Sequence, residues 1–181
     1  MRVLGISGSL RRGSFNTSLL RHAGELFEAK GAEFEVYDRL RDLPAYDEDF
    51  DVGDAPRAVA RIRAAVRAAD AVFFATPEYN SSVPGALKNA VDWLSRPSLA
   101  ESALRGKPVA VVGASTGVFG AVWAQAELRR VLGATGARVI EGKSHWVARW
   151  TALTPRGAST TRASRMKYAR SLTTYSQRLD A

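Results

Sequence analysis

Apolar positions along this chain alternate between two periods. Short runs that are apolar throughout, or at every second residue, give way to longer stretches with apolar residues three and four apart. Val3 to Ser7 reads as a short buried strand. Asn16 to Lys30 carries a helical stripe of Leu19, Leu20, Ala23, Leu26 and Phe27, and Gly31 ends it. Glu33 to Tyr37 alternates as a strand. An acidic, Pro-containing loop, Leu43 to Asp51, leads to an Ala/Arg helix over Ala55 to Ala69, with Pro56 near its first turn. Ala71 to Ala75 is a third strand, and Pro84 to Leu94 a helix. Gly106-Lys107-Pro108 turns into a fourth strand, Val109 to Val112. Val122 to Leu132 is a helix and Ala137 to Ile140 a fifth strand.

Repeated strand–helix units with continuously apolar strands predict a parallel sheet covered on both faces. Five strands fit an α/β three-layer, doubly wound sheet of order 2-1-3-4-5, with ligands at the carboxyl ends of the strands. Three segments fall at that edge. Gly8 to Thr17 is dense in small and hydroxyl residues and opens a helix, which suits an anion. The plain alternative is a turn in which Ser14 only caps the helix. Thr76-Pro77-Glu78-Tyr79-Asn80 leaves the third strand with an aromatic ring, an amide and free backbone groups. This suits a flat, partly polar ring system such as a flavin. Glu78 has no partner carboxylate or histidine in its segment, so the loop reads as a positioning element rather than an acid or base. Gly113 to Gly120, read as a glycine-rich loop after the fourth strand, forms a further wall. Neither a Walker A loop nor a GxGxxG fingerprint occurs.

Composition narrows the chemistry. The 181 residues suit one domain, and 46% apolar content suits a globular protein. With no Cys, thiolate catalysis, disulfides and Cys-ligated metals are excluded; His22 and His145 are too few for a histidine metal cluster. No run approaches the ~18 apolar residues of a membrane span. A cytoplasmic location and no membrane partner are therefore expected. The net charge of +8 is concentrated after Gly142, where eight basic residues face the single acid Asp180. The body is close to neutral, and the tail lacks the aromatic interleaving of a single-strand-binding groove, so nucleic acid is not expected as a partner. Trp93, Trp123, Trp146 and Trp150 read as packing residues, and Lys88, Asn89 and Asp92 as a solvated helix face or, more sharply, an oligomer contact.

With these loops placed, residues 1–141 resemble the NADPH-dependent FMN reductase family of flavodoxin-like proteins, which includes NAD(P)H:quinone, azo-dye and chromate reductases. The resemblance rests on Gly8-Ser9-Leu10-Arg11 with Ser14 and Asn16, on Thr76 to Asn80, and on Pro84-Gly85, Leu87 to Ala90 and Asp92-Trp93. It implies that Ser9, Arg11, Ser14, Phe15 and Asn16 hold the FMN phosphate. It implies that Pro77, Glu78, Tyr79 and Asn80 line the isoalloxazine, with Ser115 and Gly117 on the far side. The implied reaction passes hydride from NADPH or NADH through FMN to a quinone or similar acceptor (azo dye, chromate, free flavin), with no catalytic side chain identified. A homodimer or homotetramer is implied, with the Lys88 to Trp93 helix near a subunit contact. Ser81 stands where many relatives carry a second aromatic residue or histidine. The competing function is a non-enzymatic FMN electron-transfer module; such carriers tend to be acidic, which this body is not. A basic tail acting as a polyanion attachment, and FMN as a released substrate, are further readings.

Residues 142–181 depart from the family as a basic C-terminal segment of the same domain. Relatives end in an acidic, amphipathic stretch. Here a one-base shift of reading frame near Gly142 would account for the change, and a genuine basic tail is the alternative. A helix from about Arg162 to Leu179 is expected there.

Overall fold

The computed structural model describes residues 1–51, 55–98, 100–115 and 119–140, and the backbone of 147–149. Strands β1 (Arg2–Ser7), β2 (Glu33–Tyr37), β3 (Ala71–Ala75), β4 (Pro108–Ser115) and β5 (Arg138–Val139) alternate with helices α1 (Phe15–Glu28), α2 (Arg57–Ala68), α3 (Gly85–Leu94) and α4 (Val122–Ala134). Every pairing between these strands is parallel, in the order β2-β1-β3-β4-β5. This is the expected doubly wound sheet.

Alternation along the strands divides the core in two. Leu4 and Ile6 of β1, with Val72 and Phe74 of β3, meet Ile62 and Val66 of α2, Leu87 and Val91 of α3 and Leu128 and Leu132 of α4. Val3, Phe73, Ala110 and Val112 point the other way, onto Leu19, Leu20, Ala23 and Phe27 of α1. β3 is buried at all five positions, as a strand covered on both faces must be. Gly5 and Gly24 let Phe34 of β2 lie close against β1 and α1; a Cβ on Gly24 would come 2.8 Å from Phe34 Cδ1.

β4 is longer than the sequence predicts. Gly113, Ala114 and Ser115, read as loop, belong to the strand, because a sixth short strand, β6 (Val147–Arg149), pairs in parallel with them. β5 pairs with the beginning of β4 and β6 with its end, on the same edge. Val147 lies eight residues beyond Val139 in the chain, yet its partner Gly113 is only four positions beyond Val109. The fifth-strand position is therefore filled by two pieces with extra chain between them. The helix expected from about Arg162 to Leu179, together with Trp146 and Trp150, lies outside the described residues.

Candidate functional site

The switch in strand order falls between β1 and β3, and the turns after β1, β3 and β4 gather there. Gly8 N–H donates to Ala75 O at 2.8 Å and Thr76 N–H to Val112 O at 2.9 Å, so the three strand ends are laced side by side. Two glycines permit this approach. A Cβ on Gly8 would lie 2.7 Å from Leu87 Cδ2, and one on Gly113 would lie 2.9 Å from the Thr76 carbonyl oxygen.

In the β1–α1 turn, buried Ser14 is the N-cap: its Oγ accepts from Asn16 N at 3.2 Å and Thr17 N at 3.3 Å. Capping leaves the hydroxyl proton free to be donated outward. Ser9 Oγ accepts from Arg11 N at 3.4 Å, and the Arg11 guanidinium lies over the Phe15 ring at 5.0 Å. The N–H groups of Arg12 and Gly13 have no acceptor among the described residues. Donors left open at a helix N-terminus make a cradle for an anion. Asn16 departs from expectation. Its buried amide is occupied, with Nδ2 donating to Ala114 O at 3.0 Å and Oδ1 accepting from Ala114 N at 2.9 Å. The side chain braces α1 against β4 instead of facing the cradle.

Beyond β3, Pro77 is buried and Tyr79 is 53% exposed. Tyr79 to Ser82 form a tight hairpin: Tyr79 N donates to Ser82 O at 3.2 Å and Ser82 N to Tyr79 O at 3.1 Å. Asn80 (φ 52°) and Ser81 (φ 59°) both take the left-handed conformation such a two-residue turn requires. Glu78 Oε2 accepts from Trp123 N and Ala124 N, each at 3.0 Å, in the first turn of α4. These bonds tie the loop to the start of α4. Ser115 closes β4 at this edge, half-buried, and Gly117 lies outside the described residues.

Sequence reasoning missed several residues. Glu127 Oε2 on α4 accepts from Ser82 Oγ at 2.6 Å and Val83 N at 3.1 Å. The Ser82 hydroxyl foremost, then the Val83 amide, hold its carboxyl below the ordinary glutamate range. No sequence signal pointed to Glu127; the residue before Val122 is Ala121, and that missing cap could have pointed to Glu78 as the outside acceptor for α4. Arg63 is the second omission. Its guanidinium grips Asp51 with two bonds of 2.7 Å and donates to Trp93 O, locking the acidic loop to the end of α3. Asn89, half-buried on the polar side of α3, is engaged as well. It accepts from Tyr46 N at 2.7 Å and donates to Pro44 O at 2.8 Å, and Trp93 Nε1 also donates to Pro44 O. Trp93 is fully buried in its own chain, which removes it from any subunit contact.

No described helix is long and apolar enough to cross a membrane, and the described residues hold no metal-ligand cluster. The model of the family described as NADPH-dependent FMN reductase matches residues 1–152. An NAD(P)H-dependent FMN reductase of Pseudomonas aeruginosa is 50% identical over 132 residues, covering 73% of this chain and 69% of that one. A quinone reductase of Escherichia coli is 41% identical over 133 residues, with the same coverage. Among solved structures, a flavoenzyme NAD(P)H:(acceptor) oxidoreductase of Paracoccus denitrificans superimposes with a TM-score of 0.90 at 34% identity, covering 99% of this chain and 97% of that one. A flavodoxin of Pseudomonas aeruginosa, at 20% identity and a TM-score of 0.61, shares the fold.

Proposed function

This chain belongs to the NADPH-dependent FMN reductase family, and from that premise we propose how its crevice is used. The protein is an FMN-dependent oxidoreductase driven by NAD(P)H. Its relatives are reductases, which favours the enzyme over a passive electron carrier.

The observation that carries the site assignment is the lacing of three strand ends around one crevice, with an open donor set at the α1 N-terminus on one side. The FMN phosphate fits the β1–α1 cradle: Ser9, Ser14 and the neighbouring N–H groups donate to it, and Arg11, set over Phe15, supplies charge. Asn16 serves by bracing the cradle. Pro77, Glu78, Tyr79 and Asn80 form one wall for the isoalloxazine, and Ser115 and Gly117 the opposite one. Bound FMN supplies the hydride-accepting centre, so the protein's work is binding, orientation and electrostatics. Glu78 spends its Oε2 on two backbone amides, which makes it a positioning group.

A quinone is the proposed acceptor, with azo dye, chromate or free flavin as other candidates, and the cytoplasm the proposed location. A homodimer or homotetramer is supported by two exposed aromatic residues beside the crevice, Phe119 and Trp123, in edge-to-face contact at 5.0 Å. Residues 1–141 form the FMN-binding domain, and 142–181 complete it, as β6 on its sheet supports.

The test is the visible spectrum of the protein with FMN, before and after NADPH under nitrogen. We expect a flavin spectrum that bleaches. A protein that binds no FMN, or bound flavin that neither nicotinamide reduces, overturns the reading.

A further inference from the structure

Helix α4 begins without a cap of its own. Its N-cap residue is Ala121, in the left-handed conformation at φ 62°, with no side-chain hydrogen bond. Gly120 before it is also left-handed, at φ 57°. Two successive left-handed residues turn the chain sharply from the β4 wall into the helix. The first N–H groups of a helix must find acceptors. For Trp123 and Ala124 the acceptor comes from a different loop, as the carboxylate of Glu78. A negative group there also meets the positive end of the helix dipole.

One turn further along α4 the direction reverses. Glu127 reaches back from the helix to the same loop and takes Ser82 Oγ and Val83 N. The two carboxylates thus grip the loop on either side of the Tyr79–Ser82 hairpin, one before it and one after it. All four bonds are charge-assisted, the stronger class of hydrogen bond. The hairpin cannot shift relative to α4 without breaking two of them.

We infer that Glu78 and Glu127 are a paired clasp that fixes the separation of the two crevice walls, the β3–α3 loop and the turn leading into α4. They are positioning residues for the flavin ring. The inference rests on the proposed FMN site. It differs from a general stabilising role in one respect: the clasp needs an acceptor oxygen at each position. Glutamine retains one and alanine does not.

The experiment uses the full chain and the variants Glu78→Ala, Glu78→Gln, Glu127→Ala and Glu127→Gln. FMN affinity is read by quenching of flavin fluorescence, and ring placement by visible circular dichroism of the bound flavin. Amide exchange at Val83, Trp123 and Ala124 in the FMN-free protein reads the clasp directly. Each alanine variant should weaken FMN binding about tenfold, alter the flavin dichroism and speed exchange at its own amide partners. Each glutamine variant should recover most of all three. If wild type binds FMN and the alanine variants bind it equally well with unchanged dichroism, the clasp inference is overturned and the FMN site stands. Glutamine variants as impaired as alanine would also overturn it, since charge alone would then matter. If wild type binds no FMN, the proposed function falls and takes the flavin-positioning role with it, even where the exchange data show the clasp intact.

Discussion

Asn16 and Ala114, 98 positions apart in the chain, bond to each other in both directions: the amide nitrogen donates to the Ala114 carbonyl at 3.0 Å and the amide oxygen accepts its N–H at 2.9 Å. One side chain thereby ties the start of α1 to the end of β4. Replacing Asn16 with Ala strands a buried N–H and C=O pair. We expect a loss of about 1–3 kcal/mol in urea unfolding. An equally stable Asn16→Ala protein would show that the brace is not a significant contact.

Gly113 faces the Thr76 carbonyl, the Ala121 methyl and the buried Gln125 amide. Its absent Cβ would sit 2.9 Å from Thr76 O and 3.0 Å from Ala121 Cβ. Gly113→Ala should cost about 1–3 kcal/mol, because those neighbours cannot retreat cheaply. Gly85, at the start of α3, has nothing within 4 Å of its missing Cβ. Gly85→Ala should be neutral or slightly stabilising, by up to ~1 kcal/mol, since Ala is the better helix former. Thermal unfolding of the two variants side by side checks the contrast.

The buried Asp51–Arg63 pair should behave as buried pairs do. Asp51→Ala leaves an enclosed guanidinium with the Trp93 carbonyl and ring but no opposite charge among the described residues, and should cost about 3–5 kcal/mol. Replacing both, as Asp51→Leu with Arg63→Met, should recover much of that loss, because no uncompensated charge then stays inside. Urea midpoints for wild type, single and double variants form the measurement. A double variant as unstable as Asp51→Ala would contradict this account.

Glu127 gives the clasp a pH dependence of known sign. The Ser82 hydroxyl, the Val83 N–H and the nearby Arg130 and Lys88 charges favour its ionised form, and modest desolvation opposes them, so its carboxyl titrates below the ordinary glutamate value. A carboxyl with a depressed folded-state value contributes stability that is fully present above the unfolded value. That contribution is lost as pH falls through the folded value. Exchange protection of the Val83 amide should therefore be flat from neutral pH down to about 5 and soften only in part below the ordinary glutamate range, because the protonated carboxyl, like glutamine, keeps one acceptor oxygen. In Glu127→Gln this softening should vanish.

The proposed frame shift near Gly142 makes a prediction about the gene. Re-reading the coding DNA against close homologues should reveal one inserted or missing base near codon 142, and correcting it should replace the basic tail with an acidic, amphipathic one. A frame that runs unshifted through that codon sinks the idea, and the basic tail is then genuine.

Much of the architecture was legible because short-range patterning carries it. The fully apolar Ala71–Ala75 and the stripe of Leu19, Leu20, Ala23 and Phe27 are what a two-sided sheet and a one-sided helix demand of any sequence. The Ser14 cap, too, is local, needing only the amides two and three residues on. The end of β4 was not legible. Gly113-Ala114-Ser115 has weak strand propensity, and becomes strand because β6 arrives on its edge.

The sequence by itself determined the alternation of strands and helices, from which the doubly wound order was expected, and the residues in the turns after β1 and β3, since periodicity and turn chemistry act over a few residues. Only the tertiary structure decided what each polar side chain there does. Asn16 became a brace for Ala114, Glu78 the acceptor for amides 45 and 46 residues away in α4, and Asn89 and Arg63 anchors for the acidic loop. A hydrogen bond reaches about 3 Å regardless of chain separation. Its partner is therefore set by which elements pack together, and spacing along the chain does not record that.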